Sequence, residues 1–297
     1  MSINVNDSGT NKEAKEIHIK DAGVWKRANE VYIKDGGAWE LAFGVTYVSL
    51  SGLTEDFNLA TYLGLTSPTI IVVTVASGTN FVSTLAATPA FDVGSLPAGS
   101  SVELSLPATA TITGRGGNGG YGTQGEGAAG QAGGNGGTAL YTRFPLSLTN
   151  NGTIGGGGGG GGGAGSRVVY YPAGSGGGGA GGWHFTTETE TGLPGDGVPT
   201  SNQGFSGTVS ADYGGIGAGG RGGLNTSPRA SDGTITSGGV GSEDARGIGA
   251  RIGGTGGNLG AAGAASVYPG GTGGNAIDGH SYITYVTSGT ISGGQVN

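Results

Sequence analysis

Apolar and polar residues alternate in short bursts along the first part of the chain and then give way to glycine. Ile17 and Ile19 alternate with polar neighbours, as do Val31 and Ile33, and each pair leads into Lys-Asp-x-Gly and a tryptophan. The stretch Glu16-Ile-His-Ile-Lys-Asp-Ala-Gly-Val-Trp25 recurs as Glu30-Val-Tyr-Ile-Lys-Asp-Gly-Gly-Ala-Trp39. Period-two alternation on either side of a tight turn predicts a β-hairpin for each copy. A lone hairpin is marginal in water, so two of them bearing Trp25 and Trp39 want another surface, either the next domain or another protein. Residues 1–15 are polar and read as an arm.

Residues 45–50, 69–76, 81–85 and 102–106 are strand candidates, separated by punctuation such as Ser77-Gly78 and Pro97-Ala-Gly99. Between the first two, residues 56–63 read as one short helix burying Phe57, Leu59 and Leu63. Together these predict a small β-rich unit over residues 45–113. Strand-like alternation returns twice inside the glycine-rich remainder. Leu140, Phe144, Leu146, Leu148 and Ile154 form one run, suited to packing on the preceding unit, and Tyr282, Ile283, Tyr285 and Val286 form a closing one.

Between and around those runs the hydrophobic pattern vanishes. Residues 155–163 are all glycine, and the chain holds 73 glycines. Neither helix nor ordinary strand gains from such runs, which lack side chains to bury. The remaining regular option is a polyproline-II-type rod with three residues per turn, about 3.1 Å rise and no internal hydrogen bonds. Its backbone groups must be satisfied by neighbouring rods, which only glycine lets approach on all sides. A period of three supports this over a flexible linker: Gly116, Gly119, Gly122 and Gly125; Gly127, Gly130, Gly133 and Gly136; Gly214, Gly217, Gly220 and Gly223; Gly254, Gly257, Gly260 and Gly263. Collagen keeps one frame and is rich in proline; this chain slips phase and has 10 prolines. Each slip is a candidate turn. As one rod, residues 114–137 would run about 75 Å, so the slip at 125–127 is expected to fold them back.

Composition narrows the function classes. Hydrophobic residues make up 34% of the chain and aromatics 7%, so any conventional core is small. A net charge of -7 gives no electrostatic case for nucleic acid or an anionic membrane. Lys12, Lys15, Lys20, Lys26 and Lys34 all fall in the first segment, which sets it apart from the rest. There is no cysteine, and hence no disulfide or thiolate metal site. The first residues show no basic and apolar signal-peptide pattern, so synthesis and folding in a cytosol are expected.

Enzymatic constellations are sparse. His18, His184 and His280 are not spaced as metal ligands, and no Gly-x-Ser-x-Gly elbow or Gly-Lys phosphate loop occurs. Gly114-Arg-Gly-Gly-Asn-Gly119 and Gly217-Ala-Gly-Gly-Arg-Gly222 match a dinucleotide fingerprint by letter, but glycine-rich sequence yields such matches by chance, and no strand-to-helix context follows. Glu188, Glu190, Asp196 and Asp212 are candidate paired acids or, more simply, solvated loop charges. No catalytic residue, metal or cofactor is expected.

The inserts between glycine blocks carry the distinctive chemistry: residues 166–173, 183–203, 210–213, 224–232, 242–246 and 266–269. Arg167, Tyr170, Tyr171, Trp183, His184, Phe185, Tyr213, Arg229 and Tyr268 on scaffold-held loops have the composition of a paratope. Aromatic residues there give contact area at low entropy cost, and Ser, Asn and Gly adaptable hydrogen bonds. The plainer reading is that Tyr170, Tyr171, Trp183 and Phe185 cap the ends of the rods, and the two readings are compatible.

Asn150-Asn-Gly-Thr-Ile followed by glycine, with later blocks Gly-Ala-Gly-Gly-Arg-Gly-Gly and Gly-Gly-Thr-Gly-Gly-Asn, resembles the glycine-rich receptor-binding tips of tailed-bacteriophage tail fibres, including the adhesins of T-even-type long tail fibres. The Lys-Asp-x-Gly-x-Trp repeat is similar to one found in many phage tail proteins. The resemblance implies a non-enzymatic adhesin at the distal end of a virion's tail fibre. Inserts at Ser166, Trp183, Leu224 and Ser242 would contact a bacterial outer-membrane protein or surface glycan. The N-terminal module, with Trp25, Tyr32 and Trp39, would dock onto another fibre protein, the chain acting as a single cap or a homotrimer. The fold expected is mostly irregular and β. Residues 1–44 form the hairpin attachment module, 45–113 a small β-rich domain, and 114–297 a polyglycine-II sandwich with interconnecting loops. The competing readings are a purely structural fibre or virion component and, more weakly, a glycan-degrading enzyme using Glu188 or Asp196.

Overall fold

A computed structural model describes residues 4–7, 10–13, 17–28, 30–35, 37–120, 122, 130–164, 179–181, 233–234, 236–241 and 252–297. Three hairpins come first. β1 (Asn4–Asp7) pairs antiparallel with β2 (Thr10–Glu13), so the stretch expected to be an arm holds a hairpin of its own. β3 (His18–Asp21) pairs with β4 (Val24–Arg27) across Ala22-Gly23, whose φ angles of 46° and 85° give the turn whose twist suits two antiparallel strands. β5 (Glu30–Asp35) pairs with the first part of β6 (Ala38–Leu50). Both copies of the repeat therefore form the hairpins their alternation predicts.

From residue 45 onward β6 changes partner and opens a parallel solenoid of three faces. The first coil is β6, β7 (Leu53–Glu55) and β8 (Phe57–Asn58), followed by helix α1 (Leu59–Leu63). The second is β9 (Ile70–Val75), β10 (Asn80–Val82) and β11 (Phe91–Asp92). β12 (Ser101–Leu106), β13 (Thr111–Thr113) and β14 (Leu140–Tyr141) make the third. The fourth is β15 (Leu146–Asn150), β16 (Thr153–Gly155) and β17 (Asn275–Asp278). The fifth is β18 (Ile283–Thr287), β19 (Thr290–Ser292) and β20 (Gly294–Val296). Each face stacks one strand per coil: β6-β9-β12-β15-β18, β7-β10-β13-β16-β19 and β8-β11-β14-β17-β20.

Register puts like side chains above one another inside the prism. Val48, Val73, Leu104, Leu148 and Tyr285 form one column, Phe81, Ile112, Ile154 and Ile291 a second, and Phe57, Phe91, Leu140 and Ile277 a third. Phe57, Phe81 and Phe91 meet in the centre with ring centroids 5.1–5.6 Å apart. Burying each such ring contributes about 1.5–3 kcal/mol. The predicted helix over 56–63 shortens to α1, because Phe57 belongs to a core column and is needed in a strand. Asn58 then caps α1, its side chain accepting from the Thr61 N–H at 2.8 Å.

One corner of this solenoid, between the second and third faces, holds the rest of the chain. It is bridged by Asp56 alone in the first coil, by residues 83–90 in the second, and by Gly293 alone in the fifth. In the third coil the same corner extrudes residues 114–139, and in the fourth 156–274. The glycine-rich segments are thus two insertions into neighbouring coils. The boundary expected at 113/114 falls at the end of β13, and strands within 138–155 and 275–297 complete the solenoid begun by 45–113.

Candidate functional site

The described parts of the insertions form hydrogen-bonded rods outside the helix and the strands of the solenoid. Residues 155–163 run through their middle, and the backbone groups of this stretch are shared among neighbours in steps of three. Gly157, Gly160 and Gly163 donate to the carbonyls of Gly137, Gly134 and Gln131 at 2.8, 2.8 and 3.0 Å. Gly114, Gly117 and Gly120 donate to Gly155, Gly158 and Gly161 at 2.9, 2.8 and 2.8 Å. On other sides Gly254, Gly257 and Gly260 donate to Gly162, Gly159 and Gly156, while Gly159 and Gly162 donate to Ala261 and Ala264. Gly271 and Gly274 donate to Gly160 and Gly157. A Cβ on Gly157 or Gly160 would land on the carbonyl of Arg115 or Asn118, so this rod admits no side chain.

The direction of each rod follows from these pairs. Residues 114–120 run parallel to 155–163, away from the solenoid, and 131–137 return. Residues 254–260 also return, 261–264 run out again, and 268–274 come back to β17. The assembly therefore has an inner end fixed to the solenoid, where 258–261 turn, and an outer end where 264–269 turn. The turn 264–269 is described in full. There the Ser266 hydroxyl donates to the Ile252 carbonyl at 2.7 Å, the Ser266 N–H to the Tyr268 carbonyl at 3.0 Å, and the Tyr268 N–H to Gly163 at 3.0 Å. Tyr268, one of the expected contact residues, lies half-buried at this outer end.

Sequence reasoning missed three aliphatic residues there. Val240, Ile252 and Val267 are 61%, 51% and 45% exposed at the outer end. Val240 and Ile252 stand as single large apolar residues beside glycine, and Val267 lies within the 266–269 insert. Gly241 and Ile252, which flank residues 242–251, both sit at this end, and Ala164 begins the 165–178 segment from it. The long insert over 182–232 is anchored differently. Gly181 lies against Gly114 and Gly116 and donates to the Thr234 carbonyl at 3.0 Å, which places both its flanks at the inner end. Arg167, Tyr170, Tyr171, Trp183, His184, Phe185, Tyr213 and Arg229 lie outside the described residues, as do Glu188, Glu190, Asp196 and Asp212.

The N-terminal candidates are on hairpins. Trp25, on β4, is 66% exposed, with the Lys20 ammonium 5.8 Å from its ring. Ile19 and Val24 on the same hairpin are 56% and 61% exposed. Tyr32, on β5, is 48% exposed and donates to the Glu30 carboxylate at 2.9 Å, a hydrogen bond that raises its pKa above the usual phenol value. Trp39 pairs with Lys34 in the β5–β6 register. Among the described residues, no group of three or more acids or histidines is placed to hold a metal ion.

Arg143 and Asp278 brace the corner where the third and fourth coils turn back to the first face. The guanidinium donates to Asp278 at 2.7 Å and stacks 4.4 Å from the Tyr141 ring centroid, and the Asp278 hydrogen bond raises the Arg143 pKa. His280 is exposed with its ring 5.8 Å from that of Tyr285. These groups tie coils to one another.

The fold is thus a parallel solenoid whose one corner extends a lattice of glycine-rich rods packed around the side-chain-free stretch 155–163. The chain belongs to the phage tail fibre adhesin family: the family model for phage tail fibre adhesin Gp38 matches residues 46–296. The match begins where β6 leaves its hairpin and enters the first coil. Among solved structures the chain is similar to the gp37-gp38 adhesin tip complex of the bacteriophage S16 long tail fibre. Identity there is 25% and the TM-score 0.53, with 86% of this chain and 83% of that chain covered. Among curated proteins, none matches.

Proposed function

We propose that this adhesin recognises a receptor on the host bacterial surface, an outer-membrane protein or a surface glycan, through loops at the outer end of its glycine rods. The rods act as a polyglycine-II sandwich. The three-residue hydrogen-bond period and the absence of room for Cβ atoms support that reading. The observation that carries the function is polarity of construction: one end of the rods is fused to the solenoid, and the other exposes Val240, Ile252 and Val267 beside the anchors of two inserts. Scattered exposed apolar residues are ordinary, but three gathered at the end of a rigid scaffold make a contact surface. Arg167, Tyr170, Tyr171 and Tyr268 join this outer contact set. Trp183, His184, Phe185, Tyr213 and Arg229, within an insert anchored at the inner end, form a second contact group.

The N-terminal hairpins, outside the family match, serve attachment. The related structure is a complex of gp37 with gp38, and by that likeness this chain sits on another tail-fibre protein at the distal end of the virion's fibre. Trp25, Tyr32 and Trp39 would contribute to the joint. The chain is made in the host cytoplasm before it joins the virion, and its work there is binding rather than catalysis.

Adsorption of the purified protein to host cells tests this. Replacing residues 242–251, both of whose flanks lie at the outer end, with a Gly/Ser segment is expected to abolish adsorption while the melting temperature stays within about 2–4 °C. Full adsorption by that variant would remove the outer-end assignment, and adsorption by neither protein would favour a purely structural fibre component.

A further inference from the structure

The inner ends of three rods meet at a single corner of the fifth coil. Gly156, at the start of the central rod, donates to the Ser292 carbonyl at 2.9 Å. Gly260, ending the 254–260 rod at φ +67°, rests directly on Gly293, so that a Cβ there would land on the Gly293 backbone. Gly293 itself, at φ +121°, lies against the Gly274 carbonyl and the Ala276 N–H, and Asn275 pairs with Gly294 in the strand register. Residues 292–294 therefore touch all three rods at once.

The coil that supplies this corner is held less firmly than those before it. Leu148 and Ile154 in the fourth coil are fully buried, whereas their neighbours in register, Tyr285 and Ile291, are only half-buried. Polar pegs do part of the holding: the fully buried Asn150 donates its Nδ2 to the Ser288 carbonyl at 2.6 Å, and the Thr287 hydroxyl donates to the Asn150 carbonyl at 2.9 Å. Stability in a fold is not uniform, and segments with few buried apolar contacts open first and as units. The rods bury no side chains of their own along 155–163, so their order depends on backbone bonds worth about 1 kcal/mol each and on keeping their register.

We infer that residues 283–297 are a clasp: they open as one unit below the unfolding of the rest of the solenoid, and opening them releases the inner ends of the rods and loosens the lattice. The clasp would thereby set the alignment of the outer-end loops, although its action stands independently of what those loops bind.

Hydrogen exchange followed by mass spectrometry in rising urea tests this on the intact chain. Peptides covering 283–297 and 254–264 should lose protection together, at a urea concentration where 70–75 and 101–106 are still protected. A second protein ties the clasp shut. Thr153 and Thr290 are neighbours in register and the chain has no cysteine, so Thr153→Cys with Thr290→Cys, oxidised, links β16 to β19. Oxidation should slow exchange in both 283–297 and 254–264 by about tenfold or more, the equivalent of at least ~1.4 kcal/mol, and reduction should reverse it. The clasp is overturned if all peptides open in one transition, if 254–264 stays protected after 283–297 has opened, or if the tether slows exchange in 283–297 alone.

Discussion

Gly160 has backbone on every side of it. A Cβ placed there meets Asn118, and its own carbonyl lies where the Cβ of Gly133 or Gly263 would stand. Core interiors respond to one extra carbon with strain of about 1–3 kcal/mol, and this site has no flexible side chain to give way. Gly160→Ala is therefore expected to lower stability by about 2–3 kcal/mol, read as a fall in the urea midpoint. Asn150 shows the opposite dependence, on a side chain that must be polar. Its Oδ1 accepts from the Gly152 N–H at 2.9 Å while Nδ2 serves Ser288. Asn150→Leu keeps volume but strands both backbone groups, which costs about 1–3 kcal/mol and should show as faster exchange in 283–297 before any global change. Tyr32 offers a titration: the Glu30 hydrogen bond favours the neutral phenol, so its absorbance change should come at higher pH than that of a tyrosine without a carboxylate partner, and Glu30→Gln should bring it down.

At the scale of elements, short strands succeed here because each is one rung of a column. β8, β11 and β14 are two residues long, below what a sheet usually sustains, yet Phe57, Phe91 and Leu140 stack into a continuous core. Phe81 touches both other phenylalanines and is fully buried, so Phe81→Ala should cost about 3–5 kcal/mol by chemical denaturation. Hairpins obey a different rule. β3–β4 leaves Trp25, Ile19 and Val24 in the open, and an exposed side chain contributes little to the stability of its own chain. If Trp25 lies in the proposed joint, Trp25→Ala is expected to change stability by less than about 0.5 kcal/mol while weakening co-purification with the partner fibre protein. Unchanged co-purification would move the joint elsewhere.

For the whole molecule, the placement of both glycine insertions at one corner of neighbouring coils decides what the adhesin presents. Rods leaving from stacked strands start already aligned, with their inner ends set by the solenoid's strand spacing. That alignment lets backbone bonds do most of the holding, helped by side chains such as Asn135, whose Oδ1 accepts from the Thr272 N–H at 2.9 Å. The same placement sorts the inserts by where their flanks stand: 242–251 and the 264–269 turn at the outer end, 182–232 anchored at the inner end. Replacing 242–251 and, separately, 183–191 should distinguish the two proposed contact surfaces, with adsorption to intact cells as the readout.

Much of this was legible in the residues. The Lys-Asp-x-Gly-x-Trp repeat dictated two hairpins because turn chemistry and alternation are local. The unbroken glycine of 155–163 dictated rods that satisfy one another, because nothing else offsets the missing side chains. The slip at 125–127 lies outside the described residues, but 114–120 and 131–137 on either side of it run in opposite directions, as a fold-back between them requires. What the residues left open was nonlocal. Strands such as β7, β8, β11 and β19 are too short to carry a period, and they exist only because a coil lies beside them. That Ile277 continues the column of Phe57, Phe91 and Leu140, from the far side of residues 156–274, depends on parallel pairing across a long insertion, which no local pattern encodes. The end of the rods at which each insert is anchored likewise follows from rod direction, set by the solenoid strands from which the rods emerge.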